Sequence, residues 1–166
     1  MSFRHGLPAA ALLLAADQTS KWWILEGIRL PEVRHVPLLV AGPFGLDLTM
    51  VWNRGVTFGL LSGDGPLNHL ILALIAAAIA GFLLRWMARA ETPWVAVALG
   101  AVIGGAIGNV IDRLRFGAVV DFVDFHAWDW HWYVFNIADA GIVCGVAVLL
   151  ADALFRRPAA ARPDSP

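Results

Sequence analysis

The sequence predicts an all-α membrane protein in which four transmembrane helices carry a small extracytoplasmic β-rich platform and an interfacial loop. Two observations favour this class. Of the 166 residues, 59% are hydrophobic and only 15% are charged, and the mean hydropathy is +0.69, which is too apolar for a typical soluble domain. In addition, four stretches approach the roughly 20 mostly apolar residues that a membrane-crossing helix needs.

The expected spans cover residues 7–25, 67–87, 94–111 and 135–155. Four spans place both termini on one side of the membrane. The positive residues on that side are Arg4, Arg85, Arg89, Arg156, Arg157 and Arg162. Because cytoplasmic loops are enriched in Lys and Arg, both termini are expected to be cytoplasmic. The first span is expected to be retained rather than cleaved as a signal peptide, because Asp17 and Lys21 fall where a cleavage site would lie.

The two remaining connections, residues 27–66 and 112–134, then lie on the outer side. Within the first, Val33 to Val40 and Leu46 to Trp52 are rich in residues that favour strands, and Ala-Gly-Pro and Asn-Arg-Gly interrupt them. This pattern predicts a β-rich insertion over about 27–66. Residues 1–155 are interpreted as a single membrane-embedded domain, and residues 156–166, rich in Pro and charge, as a disordered cytoplasmic tail.

Composition also limits the partners. The formal net charge is -1 and the basic residues are scattered, so no nucleic-acid partner is expected. Cys144 is the only cysteine, which excludes an intrachain disulfide. Aromatic residues gather at the expected outer ends of the spans, where amphipathic rings anchor a protein to membrane lipids: Trp22, Trp23, Trp128, Trp130, Trp132 and Tyr133.

Several polar and small residues interrupt the apolar spans. Asp17 and Lys21 are four residues apart, so they share a helix face and are expected to form an ion pair inside the bundle. The pair either neutralises itself and orients the helix or supports a nearby site. In the third span Gly100, Gly104 and Gly108 leave one face without side chains, and close packing there is expected to bring Asn109 towards the fourth span.

Two carboxylates stand out because each adjoins an apolar run. Asp121 lies in Val-Val-Asp-Phe, and Asp139 lies in the first turn of the fourth span. Asn136 is three residues before Asp139, so the two are expected to project from one helical face. If the fold brings the two acids together, they would share a proton, so that one acid and one base coexist near neutral pH. Activation of a water against a peptide carbonyl requires such a pair. A structural or transport role stays open on these residues alone.

The motifs in which these residues lie resemble those of the bacterial lipoprotein signal peptidases, also called signal peptidase II, which are membrane aspartic proteases. The resemblance covers nearly the whole chain and rests on five motifs in order: Asp-Gln-Thr-Ser-Lys at 17–21, Asn-Arg-Gly-Val-Thr-Phe-Gly at 53–59, Gly-Asn-Val-Ile-Asp-Arg at 108–113, Val-Val-Asp-Phe at 119–122 and Phe-Asn-Ile-Ala-Asp at 135–139.

The resemblance implies that Asp121 and Asp139 are the catalytic pair of an endopeptidase in the bacterial inner membrane, with the site near the outer leaflet. Its substrates would be prolipoproteins, cut before a diacylglyceryl-modified cysteine, and the enzyme would need no cofactor or metal and act as a monomer. The residues implied to line, support or buttress the substrate site are Asn53, Gly55, Asn109, Arg113, Asn136, Ala138, Asp17 and Lys21.

Other readings of the same residues stay open. A metal-dependent hydrolase would use the carboxylates and imidazoles of one short interval, namely Asp121, Asp124, His126, Asp129 and His131. A proton-coupled transporter would use Asp17, Lys21 and the two acids as a relay. A Ser20–Lys21 protease is disfavoured because adjacent residues on a helix point about 100° apart.

Overall fold

A computed structural model of the protein describes residues 2–55 and 67–155. Helix α1 covers Phe3–Trp22 and continues into a π-helical turn, Trp23–Gly27. The elements that follow are α2 (Leu30–Val33), β1 (His35–Ala41), β2 (Phe44–Asn53), α3 (Asn68–Met87), α4 (Pro93–Phe116), β3 (Val119–Ala127), β4 (Trp130–His131) and α5 (Ile137–Phe155).

Helix α4 is the centre of the helical bundle, since it packs against α1, α3 and α5. It begins after Thr92, whose backbone is extended, with Pro93 in the first turn. Proline is tolerated there because an N–H at that position would have no partner within the helix. It ends at Gly117, whose φ of 70° allows its N–H to bond back to the carbonyl of Arg113. The helix is therefore longer at its carboxyl end than the predicted span of 94–111.

The glycines of α4 allow two other helices to approach closely. A Cβ at Gly100 would meet the carbonyl of Gly6, and one at Gly104 would meet the carbonyl of Ala10, both on α1. Gly105 instead contacts α5, where a Cβ would lie 2.9 Å from the side chain of Ile142. The expected close packing is confirmed, with the first helix as the partner of Gly100 and Gly104. Asn109 lies near α5 as expected, since its amide donates to Asp139.

Three helices in the described part of the chain are long and apolar enough to cross a membrane: α3, α4 and α5. Their outward side chains are strongly apolar, and Leu74, Phe82 and Leu154 are more than half exposed. The prediction of four spans is thus confirmed for three. Helix α1 does not qualify by composition, because Asp17 and Lys21 lower its apolar character at the carboxyl end.

A four-stranded antiparallel sheet, in the order β1-β2-β3-β4, adjoins the carboxyl end of α1 and α4. The β-rich platform is confirmed, but its boundaries differ from the expected ones. Residues 30–33 are helical, β1 ends at Ala41 and β2 begins at Phe44. Residues 56–66 of the predicted insertion and the tail 156–166 lie outside the described residues.

The predicted interfacial loop, residues 112–134, supplies the other half of the sheet. Strand β3 pairs with β2 over most of its length, and only the stretch after Ala127 is a turn and a short strand. The expectation of a loop was wrong for Val119–Ala127. Its first four residues are all buried, so this part of the strand lacks the alternation of buried and exposed side chains that marks a half-exposed strand.

Ile24, Leu30, Leu48, Val120 and Phe122 form a buried apolar cluster that joins the sheet to the end of α1. Burial of these side chains holds β3 in a defined register against β2. Asp121 lies between Val120 and Phe122, so the cluster also determines where that carboxylate is placed.

Replacing Gly104 by alanine is expected to destabilise the bundle by about 1–3 kcal/mol, because the new methyl group would overlap the backbone of Ala10, whose Cα lies 3.1 Å from the Cβ position. The matched control is Gly81→Ala in α3, where nothing lies within 4 Å and the gain in helix propensity should stabilise by up to about 1 kcal/mol. Unfolding in detergent micelles measures both. Equal effects of the two substitutions would contradict close packing of α1 on α4.

Candidate active site

The backbone brings the two acids together by joining Phe135, two residues before α5, to strand β3. Phe135 donates its N–H to the carbonyl of Val123 at 3.1 Å, and Val123 donates to the carbonyl of Phe135 at 2.8 Å. Asp121 lies two residues before Val123 on β3, opposite Val51 of β2. The start of α5 is therefore held beside the strand that carries Asp121.

Asn136 connects the two acids directly. Its Nδ2 donates to Oδ1 of Asp121 at 2.7 Å, and its Oδ1 accepts from the backbone N–H of Asp139 at 2.9 Å. In return, Oδ2 of Asp139 accepts from the N–H of Asn136 at 3.4 Å. Asn136 thus precedes α5 as its cap in a reciprocal capping arrangement, rather than lying on a helical face with Asp139 as expected.

Two further amides complete the hydrogen bonding of the acids. Asn53, the last residue of β2, donates to Oδ2 of Asp121 at 2.9 Å, and Asn109 of α4 donates to Oδ1 of Asp139 at 2.8 Å. Asn136 also donates to Oδ1 of Asn109 at 3.2 Å. Asp121 therefore accepts from the side-chain amides of Asn136 and Asn53. Asp139 accepts from the side-chain amide of Asn109 and from the backbone N–H of Asn136.

Arg113 and Gly55 hold the end of β2 against α4. The guanidinium of Arg113 donates to the carbonyl of Gly55 at 3.1 Å and to the carbonyl of Asn109 at 3.3 Å. The N–H of Gly55 donates to Oδ1 of Asn53 at 3.1 Å, which fixes the Asn53 amide so that its Nδ2 faces Asp121. Within the described residues Arg113 forms no ion pair with its neighbour Asp112, which pairs with Lys21 instead.

The predicted ion pair of Asp17 and Lys21 is confirmed, with Nζ at 2.8 Å from Oδ2. Lys21 has a second carboxylate partner, Asp112, at 2.7 Å, and it also donates to Oδ1 of Asn109 at 3.1 Å. The backbone N–H of Ala138 donates to Oδ1 of Asp17 at 3.0 Å. Every residue proposed from the sequence as catalytic or supporting is thus part of one hydrogen-bonded network.

Electrostatics distinguish Asp121 from an ordinary surface acid. Burial and, after it, the nearby charge of Asp139 raise the pKa of Asp121 to about 7, against the opposing effect of hydrogen bonds from Asn53 and Asn136 and of the charge of Lys21. Asp121 is fully buried, and Asp139 is only partly buried. The pair can therefore hold one proton at neutral pH.

The residues considered for a metal site have other partners. Asp124 accepts from Thr49 at 2.9 Å and contacts Nδ1 of His131 at 2.9 Å, while His126 contacts Asp47 at 3.1 Å. Within residues 2–55 and 67–155, no group of three or more His, Cys, Asp or Glu side chains is arranged to hold a metal ion. Asp129 is exposed in the turn before β4.

Sequence reasoning missed three participants. Asp112 and Gln18 belong to the Lys21 network, and Tyr133 lies close enough to the acids that, after burial, the charges of Asp121 and Asp139 raise its pKa. Asp112 is three residues after Asn109, so helical spacing could have placed both side chains on one face. Tyr133 was assigned only to the membrane belt, and no periodicity in its loop could have revealed its position.

The fold and the site define a polytopic bacterial membrane enzyme. The chain superposes on a bacterial membrane enzyme solved by the in meso method at 2.3 Å resolution with a TM-score of 0.72 and 26% identity, covering 95% of this chain and 94% of that one. A second such structure, at 1.9 Å resolution, gives a TM-score of 0.71 and 27% identity, covering 92% of this chain and 94% of that one.

The chain belongs to the signal peptidase (SPase) II family, whose model matches residues 9–155. It is 48% identical over 164 residues to a lipoprotein signal peptidase of Methylorubrum extorquens, covering 99% of this chain and 92% of the relative. A lipoprotein signal peptidase of Nitrobacter hamburgensis is 44% identical, covering 96% of this chain and 98% of the relative. The protein is accordingly a membrane-embedded peptidase of the family that removes signal peptides from prolipoproteins.

The raised pKa of Asp121 has a consequence for stability. The unfolded carboxyl ionises near 3.8 and the folded one near 7, so between these values the folded state binds more protons than the unfolded state. The contribution of the Asp121 proton to the free energy of unfolding is therefore present in full below pH 3.8 and is lost as the pH rises through 7. The full shift corresponds to about 4 kcal/mol.

Substitution of Asp121 by asparagine removes this titration. The unfolding free energy of the variant relative to the wild type should rise between about pH 4 and pH 7 and level off above that, as measured by denaturant titration in micelles. Asp152→Asn, near the end of α5, provides the control and should leave the pH dependence unchanged. Parallel curves for wild type and Asp121→Asn would contradict the assigned pKa.

Proposed function

We propose that Asp121 and Asp139 activate a water molecule to hydrolyse the peptide bond that precedes a diacylglyceryl-modified cysteine in prolipoproteins. The observation that carries this proposal is the bridge made by Asn136, whose amide contacts the Asp121 carboxylate and whose carbonyl accepts from the Asp139 backbone. A single side chain thereby orients both acids in one site.

The two acids differ enough to act as an acid and a base. Asp121 is buried and has a pKa of about 7, which makes it the carboxyl that retains the shared proton. Asp139 lies in the first turn of α5, where the helix N-terminus favours an ionised carboxylate, and Asn109 donates to it. Asp139 is accordingly the general base, and Asp121 is the general acid.

The reaction balances with these groups alone. Asp139 takes a proton from water as the water oxygen bonds to the scissile carbonyl carbon, and Asp121 gives its proton to the carbonyl oxygen. In the second step Asp121 takes a proton back from one hydroxyl of the tetrahedral intermediate, and Asp139 donates its proton to the departing nitrogen as the C–N bond breaks. The products are the signal peptide acid and the free amine of the modified cysteine, and the pair regains its starting protonation.

The remaining site residues orient this pair. Asn53, Asn109 and Asn136 supply amide donors to the carboxylates, and Arg113 with Gly55 holds Asn53 in place. In the Asp17–Lys21 pair, Lys21 donates to the side chain of Asn109, and Asp17 accepts from the backbone N–H of Ala138. Preorganised donors of this kind need no rearrangement as charge moves between the acids.

The proposed topology places this site at the outer leaflet. Both termini are cytoplasmic. Helix α1 crosses the membrane together with α3, α4 and α5, because it packs along α4 at Gly100 and Gly104 and its charges at Asp17 and Lys21 are paired within the bundle. The substrate's signal helix and acyl chains remain in the membrane lipid while the sheet stands outside it. The enzyme acts as a monomer, without nucleic acid and without a cofactor.

The test is cleavage of a diacylglyceryl-modified prolipoprotein by purified protein in micelles. Asp121→Asn and Asp139→Asn should each lower the rate by about 10²–10⁴-fold, because each removes one partner of the proton transfers. Release of the signal peptide is followed by gel electrophoresis and mass spectrometry. Asp152→Asn is the matched control and should cleave at the wild-type rate.

Near-wild-type cleavage by either variant, with a melting curve that shows it folded, would defeat the two-acid mechanism. A strong chelator in the wild-type reaction addresses the metal alternative. Activity should persist in the chelator, and a loss that zinc restores would assign the chemistry to a metal-bound water instead.

A further inference from the structure

Outside the two acids, a buried charge cluster lies beside the site. It consists of Lys21 and Asp17 of α1, together with Asp112 of α4. Asp17 is 0% exposed, Asp112 is 1% exposed and Lys21 is 3% exposed. Charges withdrawn from water to this degree are stable only when their partners are held in good geometry, so the cluster is a rigid part of the structure.

Lys21 contacts three different acceptors. Its Nζ donates to Oδ2 of Asp17 at 2.8 Å and to Oδ1 of Asn109 at 3.1 Å, and it forms an ion pair with Oδ2 of Asp112 at 2.7 Å. An ammonium has donors and no acceptor, so all three contacts are with oxygen atoms that carry negative charge or a lone pair. Because Oδ1 of Asn109 is occupied by Lys21, the amide nitrogen of Asn109 must face the other way, towards Asp139.

The two carboxylates of this cluster each hold the backbone directly before one of the two acids. Asp17 accepts the N–H of Ala138, the residue before Asp139, at 3.0 Å. Asp112 accepts the N–H of Val120, the residue before Asp121, at 3.1 Å. Lys21 therefore connects, through one carboxylate on each side, the two backbone segments that carry the acids.

Gln18 reinforces the same connection. Its Nε2 donates to Asp17 at 3.1 Å and to Asp112 at 3.1 Å. With these bonds, both oxygens of Asp17 and both oxygens of Asp112 have donors. Since no oxygen is left free, the carboxylates cannot rotate without losing a bond, and the distance between the two backbone segments is held constant.

We propose that Asp112 is a positioning residue that sets the separation of Asp121 and Asp139 by accepting from the Val120 N–H while it pairs with Lys21. The role rests on the proposed two-acid mechanism, and Asp112 itself touches neither acid nor substrate. Its effect on the reaction is geometric: without Asp112, β3 loses its attachment to α4 at Val120, and the Asp121 carboxylate is free to move relative to Asp139. Small displacements of reacting groups cost up to about 10²-fold in rate.

Two substitutions at this position separate the hydrogen bond from the charge. Asp112→Ala removes both the acceptor for the Val120 N–H and the partner of Lys21. Asp112→Asn retains an oxygen that can accept from Val120 but removes the negative charge. Asp152→Asn is the matched control, since it removes a carboxylate near the end of α5 that bonds only to Trp94 among the described contacts.

The first measurement is steady-state cleavage of the lipid-modified prolipoprotein. Asp112→Ala should lower kcat by about 10²-fold with KM little changed, because the substrate contacts persist while the acids are misplaced. Asp112→Asn should recover part of the loss, and Asp152→Asn should match the wild type. A wild-type kcat for Asp112→Ala would overturn the proposal, as would a loss confined to KM.

The second measurement does not depend on activity. Amide hydrogen exchange in micelles should be faster at Val120 in Asp112→Ala, with Ala138 unchanged because Asp17 still accepts from it, and exchange across α3 unchanged. Unchanged exchange at Val120 would overturn the proposal, and faster exchange across all helices would show that Asp112 serves only general stability. If wild-type protein fails to cleave the modified substrate, the proposed function fails, whereas the exchange at Val120 still decides whether Asp112 holds β3.

Discussion

The burial of a lysine ammonium inside an apolar helical bundle is the constraint on which the rest of the structure depends. Lys21 cannot lie there without anionic partners, because removing a charge from water costs several kcal/mol. Asp17 and Asp112 meet this requirement from two different helices. Oδ1 of Asp17 accepts from the backbone N–H of Ala138, and Oδ2 of Asp112, which also contacts Lys21, accepts from the backbone N–H of Val120. The same charges that must be neutralised therefore also fix the chain near the two acids.

The division between helices and sheet follows from where water is available. The helices satisfy their backbone internally and expose apolar side chains, as membrane spans must. The sheet has polar side chains near its free end, where His126 contacts Asp47 and Thr49 donates to Asp124. Asp121 lies at the boundary between these regions, and its burial there raises its pKa to about 7.

Asparagine is used three times in the site for a physical reason. Its amide donates to a carboxylate and its carbonyl accepts from a backbone N–H or an ammonium, so one residue can orient an acid and be oriented itself. Asn53 is held by Gly55, Asn109 by Lys21, and Asn136 by the first turn of α5. Such side chains, bonded on both sides, hold the two acids in fixed orientations.

Sequence alone was sufficient for the membrane class, for three of the spans and for most residues of the network, though not for Asp112 and Gln18. Hydropathy is a local property, and the motifs carry their own residue types. Sequence alone did not predict strand β3, because the first four residues of that strand are all buried and show no alternation of buried and exposed side chains. Asn136 was expected on a helical face, whereas the structure makes it a cap, since a boundary shift of one or two residues changes that role.

The sequence by itself determined which side chains are present and that two acids would be costly in apolar surroundings. Only the tertiary structure decided that Asp112 pairs with Lys21 rather than Arg113, and that Asn136 bridges Asp121 and Asp139. These contacts join α1, α4, β3 and α5, whose separations depend on helix packing at glycines and on strand register. No spacing along the chain encodes such distances, so they follow only from the packed fold.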